Sequence, residues 1–175
     1  ATLYSGLIGV LSAALAVGLG IPAALALSRT RFALRDGLAL LFIAPLVLPI
    51  VIMAISLYFA FSAVGLTGTT LGLVLAHAML ALPFAVVVIL AALAQFDANL
   101  ERAAASLGAD PVTAFRTVTF PLIRPAVLSA GLLTFLASFN EFLVALFLVA
   151  TDRVTLPIQF WKGLRFETNP TIAAV

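Results

Sequence analysis

From Gly37 to Gln95 the chain contains no acidic or basic residue. Thr2 to Ser28 is another such stretch, and Pro125 to Thr151 holds only Glu141. At 1.5 Å rise per residue, about 20 apolar residues cross a hydrocarbon layer roughly 30 Å thick. The first of these stretches is long enough for two passes. It divides at "SAVGLTGTTLG", where Gly65, Gly68 and Gly72 and three threonines predict a turn. The expectation is an all-α polytopic membrane bundle. It forms one domain over 1–175, with four spans near 3–28, 38–62, 71–94 and 122–150. Composition agrees: 64% of residues are hydrophobic and 9% are charged, with a mean hydropathy of +1.26, more apolar surface than a soluble core of this size can hide.

Several function classes fall away. Cysteine is absent, which removes thiol catalysis, disulfides and the common zinc patterns. The single histidine, with no paired carboxylates and no Ser-His-Asp arrangement, leaves no catalytic constellation and no metal site. The net charge of +2 comes from basic residues scattered between the spans. Nucleic-acid binding needs a contiguous basic surface, so these residues are read as topology signals. "SRTRFALRD" carries Arg29, Arg31 and Arg35 against Asp36, which puts that loop on the cytoplasmic side. Alternation puts the glycine and threonine turn outside and Arg102, Arg116 and Arg124 inside again. The tail from Thr151 to Asn169 then falls outside although it bears Arg153, Lys162 and Arg165, which Asp152 and Glu167 offset only partly. The chain opens on Ala1 directly at an apolar run and closes on "NPTIAAV", like the start of a further span. It reads as an excised domain, truncated at both ends.

Charge gathers in one place. Residues 101–125, "ERAAASLGADPVTAFRTVTFPLIRP", hold five of the sixteen charged side chains. Leu100, Ala103, Ala104 and Leu107 recur at i, i+3, i+4 and i+7 and so share a face of a short amphipathic helix. Asp97 is placed to cap its start, and Gly108 to end it in the left-handed conformation. Asp110 then suits an N-cap and Pro111 a first helical position. The second helix is expected to run until Pro121 closes the unit and a new span begins. The alanine-rich face suits either a docking partner or the lipid head groups; the lack of Phe or Trp anchors favours docking.

This stretch resembles the EAA loop of binding-protein-dependent ABC importer permeases, with their MetI-like transmembrane domain. The family pattern is E-A-A, three residues, Gly, nine residues, then I-x-L-P. Ala103, Ala104 and Gly108 match it, and Val118, Thr119, Phe120 and Pro121 fill its end with conservative changes. Arg102 occupies the Glu position and Glu101 stands one residue earlier, so which of them takes the acidic role is open. The resemblance covers essentially the whole chain. It implies a type I importer permease in a bacterial inner membrane, with the family's flanking helices cut away. It also implies a cytoplasmic ATPase dimer docked on loop 97–121 through Glu101, Arg102, Ala103, Ala104, Leu107 and Gly108. A second permease subunit, expected to form a heterodimer, and a substrate-binding protein complete the assembly. No "GxxxxGK[ST]" occurs, so this chain is expected to bind no cofactor and to be no enzyme, ATP and Mg²⁺ belonging to the ATPase.

"LASFNEFLVALFL" with "VTLPIQFWKGLRFETNPTIAAV" resembles spermidine and putrescine importers, against alternatives for iron, sulfate, phosphonates or sugars. An ion-coupled secondary carrier would need intramembrane carboxylates, and only Glu141 qualifies. Glu141 lies about 30 Å of helix beyond Pro121, toward the outer half of the bilayer. It could line a path for an ammonium group, or make a gate or packing contact with Asn140. His77 reads either as a path or gate residue or as an interhelical hydrogen-bond partner. Tyr58 and Trp161 are amphipathic side chains suited to the interface.

Overall fold

The computed structural model describes residues 1–29, 35–149 and 154–166. Arg31, Asp152, Arg153, Glu167 and the closing "NPTIAAV" lie outside the described residues, as does the side chain of Arg165. Every regular element among the described residues is helical.

Among the described residues three helices are long and apolar enough to cross a membrane, and a fourth span is made if the bent pair at 35–63 counts as one. The first, α1, runs Thr2–Arg29. The second overlies the expected third segment, and we label it α4, Thr70–Ala94, because α2 (Arg35–Val47) and α3 (Ile50–Ala63) precede it. The third is a continuous helix over Pro111–Phe139. It begins as α6, Pro111–Ala114, passes through a π-helical turn at Phe115–Thr119, and continues as α7, Phe120–Phe139. The helices α1, α4 and α7 pack against one another in all three pairings, α2 lies on α4, and α3 lies on α8, Leu143–Leu148. A last helix, α9, spans Leu156–Phe166.

The packing uses small residues. Ala24, Ala85, Ile89, Leu93, Ile123 and Ala130 form one buried cluster, toward the end where Arg29 sits; Ile8, Leu57, Leu73, Val144, Leu148 and Ile158 belong to another. Lipid gives apolar helices no drive to associate, so close backbone approach and interhelical hydrogen bonds must do it. At Gly20 of α1 an added Cβ would stand 2.8 Å from Ala85 Cβ on α4. Ser12 Oγ donates to the Val74 carbonyl at 3.1 Å within the same interface.

Two expected spans are not single helices. The segment 38–62 is two helices of 13 and 14 residues, α2 and α3, bent by 105°. Pro49 is the cause: it disfavours helical geometry at Leu48 and has no N–H for the Pro45 carbonyl one turn earlier. The segment 122–150 ends as a helix at Phe139, and its remainder restarts as the six-residue α8. Polar Asn140 and Glu141 fall in the gap, where side-chain groups compete with the backbone ladder.

Nor does Pro121 close the coupling unit. In the π-helical turn the Phe120 N–H donates to the Phe115 carbonyl, five residues back. The widened turn draws the carbonyl four residues before Pro121 away from its ring, which removes the clash that normally breaks a helix at proline. Pro22 and Pro83 likewise lie inside continuous helices. The glycine and threonine turn does form between α3 and α4, with Gly65 at φ +70 and Gly68 at φ +77.

Candidate functional site

At the end of the bundle where α1 stops, the charged stretch folds as two helices joined at Gly108. The first, α5, covers Asn99–Ser106. Asp97 accepts from the Asn99 N–H at 2.9 Å and so caps it. At its end the Ala109 N–H donates to Ala104 and the Gly108 N–H to Ala105, at 3.1 and 2.9 Å. These are the two bonds of a glycine-terminated helix, and they require the φ of +90 that Gly108 adopts. Asp110 caps α6, taking the N–H groups of Val112 and Thr113 at 2.9 Å each. The Thr113 N–H and hydroxyl, then the Val112 N–H and the nearby Arg116, hold the exposed Asp110 carboxyl below its usual range. A lowered folded pKa means that this cap contributes above the unfolded value of 3.8 and is lost as pH falls through the lowered one.

Glu101 points inward. Its carboxylate pairs with Arg29 at the end of α1 and accepts from the hydroxyl of Thr119, which is fully buried in the π-helical turn. Arg29 also reaches Thr119 Oγ1 at 3.5 Å. Arg35 at the start of α2 donates to the Leu27 carbonyl at 2.7 Å, so α1, α2, α5 and the π-helical turn meet at this end. Sequence reasoning took Arg29 only as a topology charge and Thr119 only as part of a motif; nothing in the local pattern marks either as a partner of Glu101.

The outward face of α5 is different. With Glu101 turned in, a 100° step per residue puts Arg102, Ser106, Ala103 and Leu107 on the opposite side. All four are exposed, Leu107 by 90%. Ala104 is half-buried, so it stands at the edge of that face rather than at its centre. The Arg102 guanidinium donates along the helix to Asn99 Oδ1 at 3.2 Å.

Deeper in the bundle lies a cavity of about 300 Å³. Pro45, Leu48 and Ile50 from the α2–α3 break, His77 and Phe84 from α4, Ser138 from the end of α7 and Glu141 from the gap before α8 contribute to its wall. Both helix breaks therefore open on one space. His77 is 1% exposed, and its Nδ1 sits 2.9 Å from Ser138 Oγ, an interhelical hydrogen bond between α4 and α7. Its Nε2 is buried without a partner. Glu141 Oε1 accepts from the Val144 N–H at 2.8 Å and caps α8, so the carboxylate combines a local structural contact with a place on the cavity wall. Asn140 is exposed at the C-terminus of α7 and is not among the residues lining this cavity. Ser138, missed in the sequence, does. Tyr58 is 39% exposed, and Trp161 of α9 packs on Phe142 with ring centroids 5.8 Å apart.

Long apolar helices around a largely apolar cavity that holds His77, Ser138 and Glu141, with a short exposed helix pair at one end, define an integral membrane protein of the transporter type. More narrowly, residues 16–175 match the binding-protein-dependent transport system inner membrane component family, and the chain belongs to that family. It is 36% identical over 164 residues to the putrescine transport system permease protein PotI of Escherichia coli, covering 90% of this chain and 58% of PotI. It is 32% identical over 175 residues to the spermidine/putrescine transport system permease protein PotC of Haemophilus influenzae, covering all of this chain and 68% of PotC. The molybdenum transport system permease protein ModB of Mycobacterium tuberculosis is 36% identical over 177 residues, covering 93% of this chain and 66% of ModB. The chain thus spans about three fifths of the length of PotI.

Proposed function

We propose that this chain is the solute-conducting core of a permease subunit in an ATP-driven importer, and that its solute is a polyamine of the spermidine or putrescine type. The observation that carries the first part is the exposed outer face of α5, an apolar and basic surface held on α1 and the π-helical turn by the Glu101, Arg29 and Thr119 contacts. A cytoplasmic ATPase docks there, binds ATP with Mg²⁺ and hydrolyses it; this chain supplies neither step. A second permease subunit of different sequence completes the path, and a binding protein delivers solute to the opposite end.

The polyamine reading rests on the cavity. Ser138 and Glu141 put a hydroxyl and a carboxylate on an otherwise largely apolar wall. An ammonium group leaving water needs such acceptors, and charge-assisted hydrogen bonds offset part of its desolvation. The likeness to PotI and PotC supports the same solute class. The likeness to ModB favours a second reading, an oxyanion solute, but a carboxylate on the wall repels an anion. The test reconstitutes the complete transporter in proteoliposomes and measures radiolabelled spermidine, putrescine and molybdate uptake beside stimulated ATP hydrolysis. Amine uptake that falls at least tenfold in Glu141→Gln, with ATPase activity and assembly kept, is expected. Unimpaired uptake in that variant removes Glu141 from the path, and molybdate uptake without amine uptake replaces the polyamine reading.

A further inference from the structure

Four of the charges of the α5–α6 unit are already committed. Asp97 and Asp110 cap helices, and Arg116 lies in the field of Asp110. Glu101 is turned into the bundle, neutralised by Arg29 and bonded to Thr119. What remains on the outer face of α5 is Arg102, with no acidic partner among the described residues, aligned along the helix by Asn99. Beside it are the short side chains of Ala103 and Ser106, and then Leu107, 90% exposed. The surface is therefore one guanidinium and one leucine at opposite edges of a flat strip, five residues apart on the helix, about 7.5 Å along its axis.

We infer that the partner groove for α5 carries a carboxylate against Arg102 and an apolar recess against Leu107, and that Glu101 makes no direct contact with the partner. This rests on the reading of α5 as the ATPase docking helix. Charge complementarity commits the face to an acidic protein groove. A surface with a cation at one edge and a fully projecting aliphatic side chain at the other is matched by an anion-rimmed apolar pocket, and the guanidinium fork fits a carboxylate in two-point contact. Glu101 cannot serve as well: reaching outward would leave Arg29 unpaired and strip a buried hydroxyl of its acceptor.

The test uses the complete permease with its ATPase, purified in detergent, and measures ATPase affinity by titration at low and high KCl. Arg102→Glu should weaken binding at least tenfold, and Arg102→Gln less. The wild-type affinity should fall with salt more steeply than that of Arg102→Gln, since screening acts on the charge pair. Charge reversal of the acidic residue in the ATPase groove that crosslinks to position 102 should restore binding to Arg102→Glu. Glu101→Gln should leave ATPase affinity within twofold while lowering the thermal stability of the permease. Each variant's unfolding temperature separates a lost contact from a lost fold. If Arg102→Glu binds as the wild type does while Leu107→Asp releases the ATPase, the docking reading stands and the acidic groove is overturned. If both bind as the wild type, docking through α5 fails with it. A large loss of affinity in Glu101→Gln, at unchanged stability, would make Glu101 the contact and overturn the assignment.

Discussion

Two side chains and a glycine show how much rests on single positions. His77 and Ser138 share a hydrogen bond that joins α4 to α7 through buried polar side chains at the cavity wall. Interhelical hydrogen bonds in membrane proteins average about 0.6 kcal/mol in double-mutant cycles. A cycle with His77→Phe and Ser138→Ala, read by unfolding in detergent, should give a coupling near that value, and zero coupling would make the pair incidental. Gly108 carries a different load. Its φ of +90 is strained for any residue with a Cβ, although nothing lies within 4 Å of where the Cβ would be. Gly108→Val should cost about 1–2 kcal/mol locally, distort the α5–α6 angle, and abolish ATP-dependent uptake while membrane insertion persists. Uptake at the wild-type rate in matched amounts of protein would refute that. Gly108, Asp97 and Asp110 were legible in the sequence because caps and left-handed glycines are local devices with local signatures. The Glu101 partners were not, because Arg29 and Thr119 lie 72 residues before and 18 after it, and only the tertiary fold brings them together.

Among the elements, those whose character is set by a continuous apolar run, α1 and α4, fall where the hydropathy pattern puts them. Failures came at prolines, whose consequence depends on the surrounding backbone. Pro49 broke a stretch read as one span, and Pro121 broke nothing, because a π-helical turn had already made room for its ring. The interface of α1 with α4 offers a sharper test than the breaks do. At Gly20 a methyl group would meet Ala85 at 2.8 Å on a second helix that cannot yield cheaply, whereas at Gly18 nothing lies within 4 Å. Overpacking a close contact costs about 1–3 kcal/mol. Gly20→Ala should therefore lower thermal stability clearly, and Gly18→Ala should leave it unchanged or raise it slightly by the gain in helix propensity. Equal effects of the two would mean that α1 and α4 are not in contact at that level.

For the molecule as a whole, the exposed face of α5 and the cavity lined by Glu141 are separate places joined by one long helix. The two should therefore fail independently. Ala104→Trp should release the ATPase from membranes yet leave equilibrium binding of labelled spermidine to the solubilised permease within twofold. Glu141→Gln should do the reverse. A variant at either position that lost both properties, without a fall in unfolding temperature, would mean that the sites are not distinct.

The uninterrupted run from Pro111 to Phe139 also has a mechanical meaning. Its 29 residues make a helix about 43 Å long, against a hydrocarbon layer of about 30 Å, so near the membrane normal part of it projects beyond the hydrocarbon. The helix does not break at Pro121, so a displacement of its protruding tip is carried along one continuous element. A tilt of only about 5° about the far end would carry Asp110 sideways by roughly 4 Å by the same geometry. In a chain with a hinge at that proline, the displacement would dissipate at the membrane surface. Here the element runs unbroken from Pro111 to Phe139, and its tip and the end beside Ser138 belong to one lever.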